Sequence, residues 1–95
     1  MKLAMIITES RYKEQLEVLL AQHGIEGFTE IPEVHGKGVS GLRMGSGAYP
    51  KTSTVIFTII PRDKMEELRH DLECMCDEAC MSRTRMIAWD AEVVL

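Results

Sequence analysis

The chain has 95 residues, of which 45% are hydrophobic, and a formal net charge of −4 at pH 7. This length predicts a single domain, residues 1–95, and the acidic balance argues against nucleic acid as the main partner. No apolar run approaches the roughly 20 residues that cross a bilayer, so no membrane insertion is expected. The first residues turn polar too early for a signal peptide, and we therefore expect a cytoplasmic protein whose three cysteines are reduced.

The first third of the chain predicts a strand, a helix and a second strand. Residues 2–8, KLAMIIT, form a nearly continuous apolar run that is typical of a buried central strand. Ser10 is the predicted N-cap of a helix over residues 11–23, which Gly24 ends. Residues 25–34 predict a second strand, in which Pro32 indicates an edge position or a bulge.

The second half of the chain repeats the pattern of strand, helix and strand. Residues 52–60, TSTVIFTII, are strongly β-branched and predict a strand. Asp63 is the predicted cap of a second helix, whose apolar positions are Met65, Leu68, Leu72, Met75 and Ala79. Residues 85–95 predict one broken strand or two short ones, with Trp89 near the break.

This order of elements predicts an α+β, ferredoxin-like βαββαβ fold: an antiparallel sheet with two helices on one face. The strands at residues 2–8 and 52–60 are apolar on both sides, whereas the helices cover only one side. Because a large uncovered apolar face is unusual in a soluble monomer, we expect that face to be buried against other subunits.

A glycine-rich arm, EVHGKGVSGLRMGSGAYPK at residues 33–51, separates the second and third strands. Its five glycines are expected to prevent a stable helix or strand, which leaves a long flexible loop at about residues 35–52. Residues 34–62 contain no Asp or Glu and carry four Lys or Arg, so this span is +4 and the remainder is −8. Backbone N–H groups and cations suit a phosphate, nucleotide, carboxylate or acidic partner surface. The alternative is a solvated hairpin loop with incidental positive charge.

Two enzyme-like patterns are absent or out of context. GKGVSG in the arm fits G-x-G-x-x-G, but it does not open a helix in a parallel βαβ unit, so it does not predict a dinucleotide site. The serines lack the context of a nucleophile elbow, and the carboxylates are spread over helix surfaces. We expect a protein that is not an enzyme.

The element order, the arm and several strings together resemble the PII signal-transduction superfamily. MKLAMII resembles that family's opening strand, and HGIEGFTEIPEVHGKG is similar to its helix-end glycine, second strand and the glycine pair that starts its T-loop. TVIFTIIPRD resembles the third strand and the start of the second helix, so the likeness covers nearly the whole chain.

The resemblance implies a homotrimer that binds small effectors, typically adenine nucleotides, in clefts between subunits at the base of the T-loop. The loop, residues 35–52 here, would then engage a protein target such as a transporter, an enzyme or a regulator. By this likeness Gly36 and Gly38 would line the cleft, with Lys37 beside the phosphates. The family's glycine- and lysine-rich turn before the last strand is replaced by CDEACMSRTRMIAW, and its loop glutamine has no counterpart near Val39 and Ser40.

Eight residues are therefore the candidate effector-binding set. Arg83 and Arg85 are candidates for the cationic role of the missing turn, and His35 stands at the base of the arm. The set comprises His35, Gly36, Lys37, Gly38, Gly41, Arg43, Arg83 and Arg85.

The second helix also carries a cluster of soft metal ligands in RHDLECMCDEACMS, residues 69–82. His70 and Cys74 are four residues apart, as are Cys76 and Cys80, so each pair shares a helix face. Thiolate and imidazole suit Zn or Cu(I), and the alternative function is a metal-binding or metal-responsive protein that uses these four residues. Burial of the cysteines in the core and a redox switch are the other interpretations.

Overall fold

A computed structural model describes residues 1–38 and 41–95 of the chain. Its elements are β1 (Lys2–Glu9), a 3-10 turn (Ser10–Tyr12), α1 (Lys13–Gln22), β2 (Thr29–Val34), β3 (Gly36–Gly38), β4 (Gly41–Arg43), β5 (Ser53–Ile60), α2 (Arg62–Met75), α3 (Glu78–Ser82) and β6 (Thr84–Asp90). Four strands form an antiparallel sheet in the order β2-β5-β1-β6. The predicted ferredoxin-like βαββαβ arrangement is confirmed.

β1 is a central strand, as its apolar run predicts. It pairs with β5 on one side and β6 on the other, and Ile6 lies opposite both Ile56 and Met86. Alternate residues of β1 and β5 point to the helices and are buried. The core joins these side chains to leucines of both long helices and consists of Ile6, Leu16, Leu19, Leu20, Ile25, Ile56, Ile60, Leu68 and Leu72.

β2 is an edge strand with an irregular register, which confirms the interpretation of Pro32. The pairing with β5 shifts between Ile31 and Val34, and Glu33 in that interval has a positive φ of 57°. Proline has no N–H to donate to a neighbouring strand, so the sheet tolerates it at this edge. The strand begins at Thr29 and not at Ile25, because the chain first turns away from α1 at Gly24, whose φ is +70°.

Both predicted helix caps differ from the structure. Ser10 lies in the 3-10 turn, and its hydroxyl bonds to Thr54 and Thr52 instead of capping α1. α2 begins one residue before Asp63, which lies in the first turn and makes no capping hydrogen bond. Its carboxylate still lies near the positive end of the helix dipole.

The predicted second helix is in fact two helices. α2 ends at Met75, and Asp77 starts α3 by accepting a hydrogen bond from the backbone N–H of Cys80 at 2.8 Å. Helical spacing alone predicted a stripe that reached Ala79, and that prediction is wrong because a local cap competes with continuation of the helix.

The arm contains regular structure that its glycines were expected to prevent. β3 and β4 pair as a short antiparallel ribbon, with Lys37 opposite Leu42 and Gly38 opposite Gly41. Gly41 has a φ of +112°, which a residue with a side chain rarely adopts. Glycine at the first position of β4 therefore adopts this conformation without the strain that another residue would meet.

The sheet face opposite the helices is apolar and partly exposed. Ile31, Ile59, Ile87 and Trp89 lie on it, and each is between 42% and 46% exposed. The last strand ends at Asp90, so the predicted extension of strand structure to residue 95 is wrong. Within the described ranges, no helix has both the length and the apolar character that a membrane crossing requires.

Candidate anion-binding site

A cleft of about 410 Å³ lies at the base of the arm, at the end of the sheet where β1 and β2 finish. Its walls come from four separate segments: β1, the β2–β4 region, the start of β5 and the turn before β6. Seven of the eight predicted effector residues line it, namely His35, Gly36, Lys37, Gly38, Arg43, Arg83 and Arg85. Gly41 does not line the cleft and lies across the ribbon from Gly38.

The sheet topology explains why such distant residues meet. Antiparallel pairing puts the last residues of β1 and β2 at the same end of the sheet as the first residues of β5 and β6. Val34 lies opposite Ser53, and Ile7 lies opposite both Val55 and Arg85. The arm and the turn that carries the two arginines therefore face each other across the end of the sheet.

The charge of the cleft is positive. Among its described lining residues there are four Lys or Arg and one His, and no Asp or Glu. Lys37 and Arg85 are exposed, and neither makes an ion pair or hydrogen bond with the described part of the chain. Nη1 of Arg43 donates to the hydroxyl of Ser53 at 3.0 Å. An environment of this kind favours a small anion that the cations and backbone N–H groups can share.

Arg83 is held on its inner side by a buried carboxylate, Glu9. Nε of Arg83 lies 3.1 Å from Oε2 of Glu9, whose side chain is only 3% exposed. Arg11 and Lys51 approach the other oxygen, Oε1, at 3.1 and 3.8 Å. Glu9 is not among the predicted effector residues, although a carboxylate at the end of a buried apolar strand requires a charged or hydrogen-bonding partner.

Hydroxyl groups support the wall behind the arginines. Thr84 lines the cleft and bonds to Thr8 through their side-chain oxygens at 2.8 Å. Ser82, also in the wall, donates its hydroxyl to the carbonyl of Ala79 at 2.9 Å. The Thr8–Thr84 bond ties the start of β6 to β1, and the Ser82 bond lies within α3. The positions compared with the family's loop glutamine, Val39 and Ser40, lie outside the described residues.

The structure does not assemble the predicted metal ligands. Cys76 and Cys80 form a disulfide with a Cα–Cα distance of 5.1 Å, which corrects the expectation that all three cysteines are reduced. The turn between α2 and α3 makes this possible, because a continuous helix would not have let Cys76 bend toward Cys80. Sγ of the exposed Cys74 lies 3.8 Å from Nε2 of His70. Across residues 1–38 and 41–95, no group of three or more His, Cys, Asp or Glu is placed to hold a metal ion.

Comparison with known proteins finds similarity at the level of structure. Neither a protein-family model nor a curated protein sequence matches this chain. A structure of CPII, a nitrogen regulatory PII-like protein from Thiomonas intermedia K12, bound to ADP, AMP and bicarbonate, matches with a TM-score of 0.80 and 22% identity. The match covers 97% of this chain and 86% of that one.

Two further CPII structures from the same organism agree. The form bound to ADP and bicarbonate matches with a TM-score of 0.79 and 23% identity, over 97% of this chain and 86% of that one. The apo form matches with a TM-score of 0.74 and 20% identity, over 97% and 89% of the two chains. This chain therefore has the PII-like fold of CPII.

Proposed function

We propose that this chain is a PII-like regulatory protein, not an enzyme, which binds a small anionic effector in the cleft at the base of its arm. The observation that carries the proposal is the collection of four Lys or Arg and one His from separate segments around one cleft, without a carboxylate among the described lining residues. The CPII structures of the same fold hold ADP, AMP and bicarbonate, so these are the first candidates for the effector.

Lys37 and Arg85 are two cations that would contact the effector directly. They stand on opposite walls of the cleft, one in β3 and one in β6, and no acidic side chain of the described residues pairs with either. An anion between them would gain two charge-assisted hydrogen bonds without breaking an existing ion pair. The N–H groups of Gly36 and Gly38 would add donors from the same wall.

The arm, residues 35–52, would carry the signal to a protein target. The β3–β4 ribbon forms one wall of the cleft and continues into the rest of the arm. An effector that binds one conformation of this wall better than another shifts the populations of the arm. In this proposal the single domain supplies the cleft, and the flexible part of the arm engages the target.

The exposed apolar sheet face would be buried in a homotrimer. Its uncovered isoleucines and Trp89 lie opposite the helices, where a second and third subunit would cover them. Burial of this face would also place neighbouring subunits beside the sheet edge that carries the cleft.

Calorimetric titration with ADP, AMP and bicarbonate tests the proposed function. Lys37→Gln and Arg85→Gln should each weaken binding about tenfold, since a hydrogen bond to a charged group contributes about 1.5 kcal/mol or more. Lys64→Gln is the matched control, because Lys64 lies on α2, outside the cleft, and should leave affinity unchanged. A wild-type protein that binds none of the three ligands, or cleft variants that bind as well as the control, would refute the proposal.

A further inference from the structure

Glu9 is the most deeply buried carboxylate that contacts the cleft wall. It ends β1, directly behind the turn that carries Arg83, and it does not itself line the cleft. Both oxygens are used: Oε1 meets Arg11 and Lys51, and Oε2 meets Arg83. A buried carboxylate is stable only with such partners, and among these three Arg83 is the one whose own side chain is mostly buried.

The hydrogen bonds of Arg83 divide its guanidinium group into two sides. Nε pairs with Glu9 at 3.1 Å, and Nη1 donates to the carbonyl of Ala79 at 3.0 Å and to the hydroxyl of Ser82 at 3.3 Å. Nη2 makes no hydrogen bond to the described residues. A guanidinium is a rigid planar fork of five N–H donors, so fixing two of its nitrogens also fixes the direction of the third.

We propose that Glu9 is a positioning residue, which holds Arg83 so that Nη2 donates to the anion in the cleft. The inference rests on the proposed function, because it concerns how that site is prepared for its ligand. Glu9 acts only through Arg83 and makes no contact with the anion. An arginine already held in its binding orientation loses little conformational entropy on binding, which strengthens the interaction.

The same carboxylate connects the cleft to the far end of the arm. Lys51 is one of the last residues of the arm, and it approaches Oε1 while Arg83 occupies Oε2. The second end of the arm therefore lies within ion-pair distance of the carboxylate that also holds Arg83.

A double-mutant cycle on ADP affinity, measured by calorimetry, tests this role. Glu9→Gln should weaken ADP binding about tenfold in the wild-type background. In an Arg83→Gln background the same change should have less than a twofold effect, because the residue through which Glu9 acts is gone. A purely structural role would lower affinity equally in both backgrounds. Arg69→Gln, on the exposed face of α2, is the control for Arg83→Gln, because it also removes one positive charge.

A second variant keeps the test decisive if Glu9→Gln does not fold. Arg83→Lys preserves the charge but cannot contact Glu9 with one side and ADP with the other, so it should also lose about tenfold in affinity. Additive effects in the cycle, or wild-type affinity in Arg83→Lys, would overturn the inference while leaving the proposed function intact. If the wild type does not bind ADP, the inference is overturned. The proposed function is then still tested separately, by whether the wild type binds AMP or bicarbonate.

Discussion

Ile59→Lys tests whether the exposed sheet face is an interface between copies of the chain. Ile59 is 46% exposed, and Ile31, Ile87 and Trp89 on the same face are similarly exposed. Full burial of an aliphatic or aromatic side chain is worth about 1.5–3 kcal/mol, so covering the exposed parts of these four contributes about 4 kcal/mol per subunit. The lysine removes about 1 kcal/mol of this and adds a desolvation cost of several kcal/mol, which together exceed the gain.

Light scattering coupled to size-exclusion chromatography gives the assembly state directly. The wild type should elute with the mass of a trimer, and Ile59→Lys with the mass of a monomer at micromolar concentration. Val18→Lys is the control, because Val18 is an equally apolar, 56% exposed residue on α1, on the helical side. A monomeric wild type, or an Ile59→Lys variant that keeps the wild-type mass, would refute the reasoning.

Two further predictions concern stability, measured by denaturant unfolding. Gly24→Ala should destabilise the fold by about 1 kcal/mol, because φ at Gly24 is +70°. Gly27→Ala is the control and should leave stability unchanged, because Gly27 has no positive φ and a Cβ there would meet no neighbouring atom. Equal losses of stability in the two variants would contradict this. Burial and the adjacent Glu17 raise the pKa of Glu30, so its charged form is unfavourable in the folded state. Glu30→Gln should therefore stabilise the protein by a few tenths of a kcal/mol at pH 7, after solvent screening, and the gain should vanish below about pH 4.5 as the native carboxyl becomes protonated. A gain that persists at pH 3.5 would show that charge is not its cause.

Much of the candidate site was predictable because charge and glycine content are local properties. The span without Asp or Glu predicts that the arm is positively charged. The resemblance to the PII superfamily made Arg83 and Arg85 candidates for the cationic role of that family's turn before the last strand. The role of Glu9 was not predictable in this way. Its three cationic partners are 2, 42 and 74 positions away in the chain, so only folding brings them to one carboxylate.

The sequence by itself determined the order of the elements, the central place of β1 and the edge position of β2. Apolar runs, Pro32 and Gly24 act through backbone and solvation preferences that do not need distant contacts. The tertiary structure decided the rest: the break between α2 and α3, the ribbon in the arm and the disulfide. Each of these depends on which of several local arrangements of similar free energy the folded chain adopts, and helical spacing or glycine content alone does not select among them. Antiparallel pairing then brings the termini of four strands to one end of the sheet, and the cations beside these termini line the positive cleft.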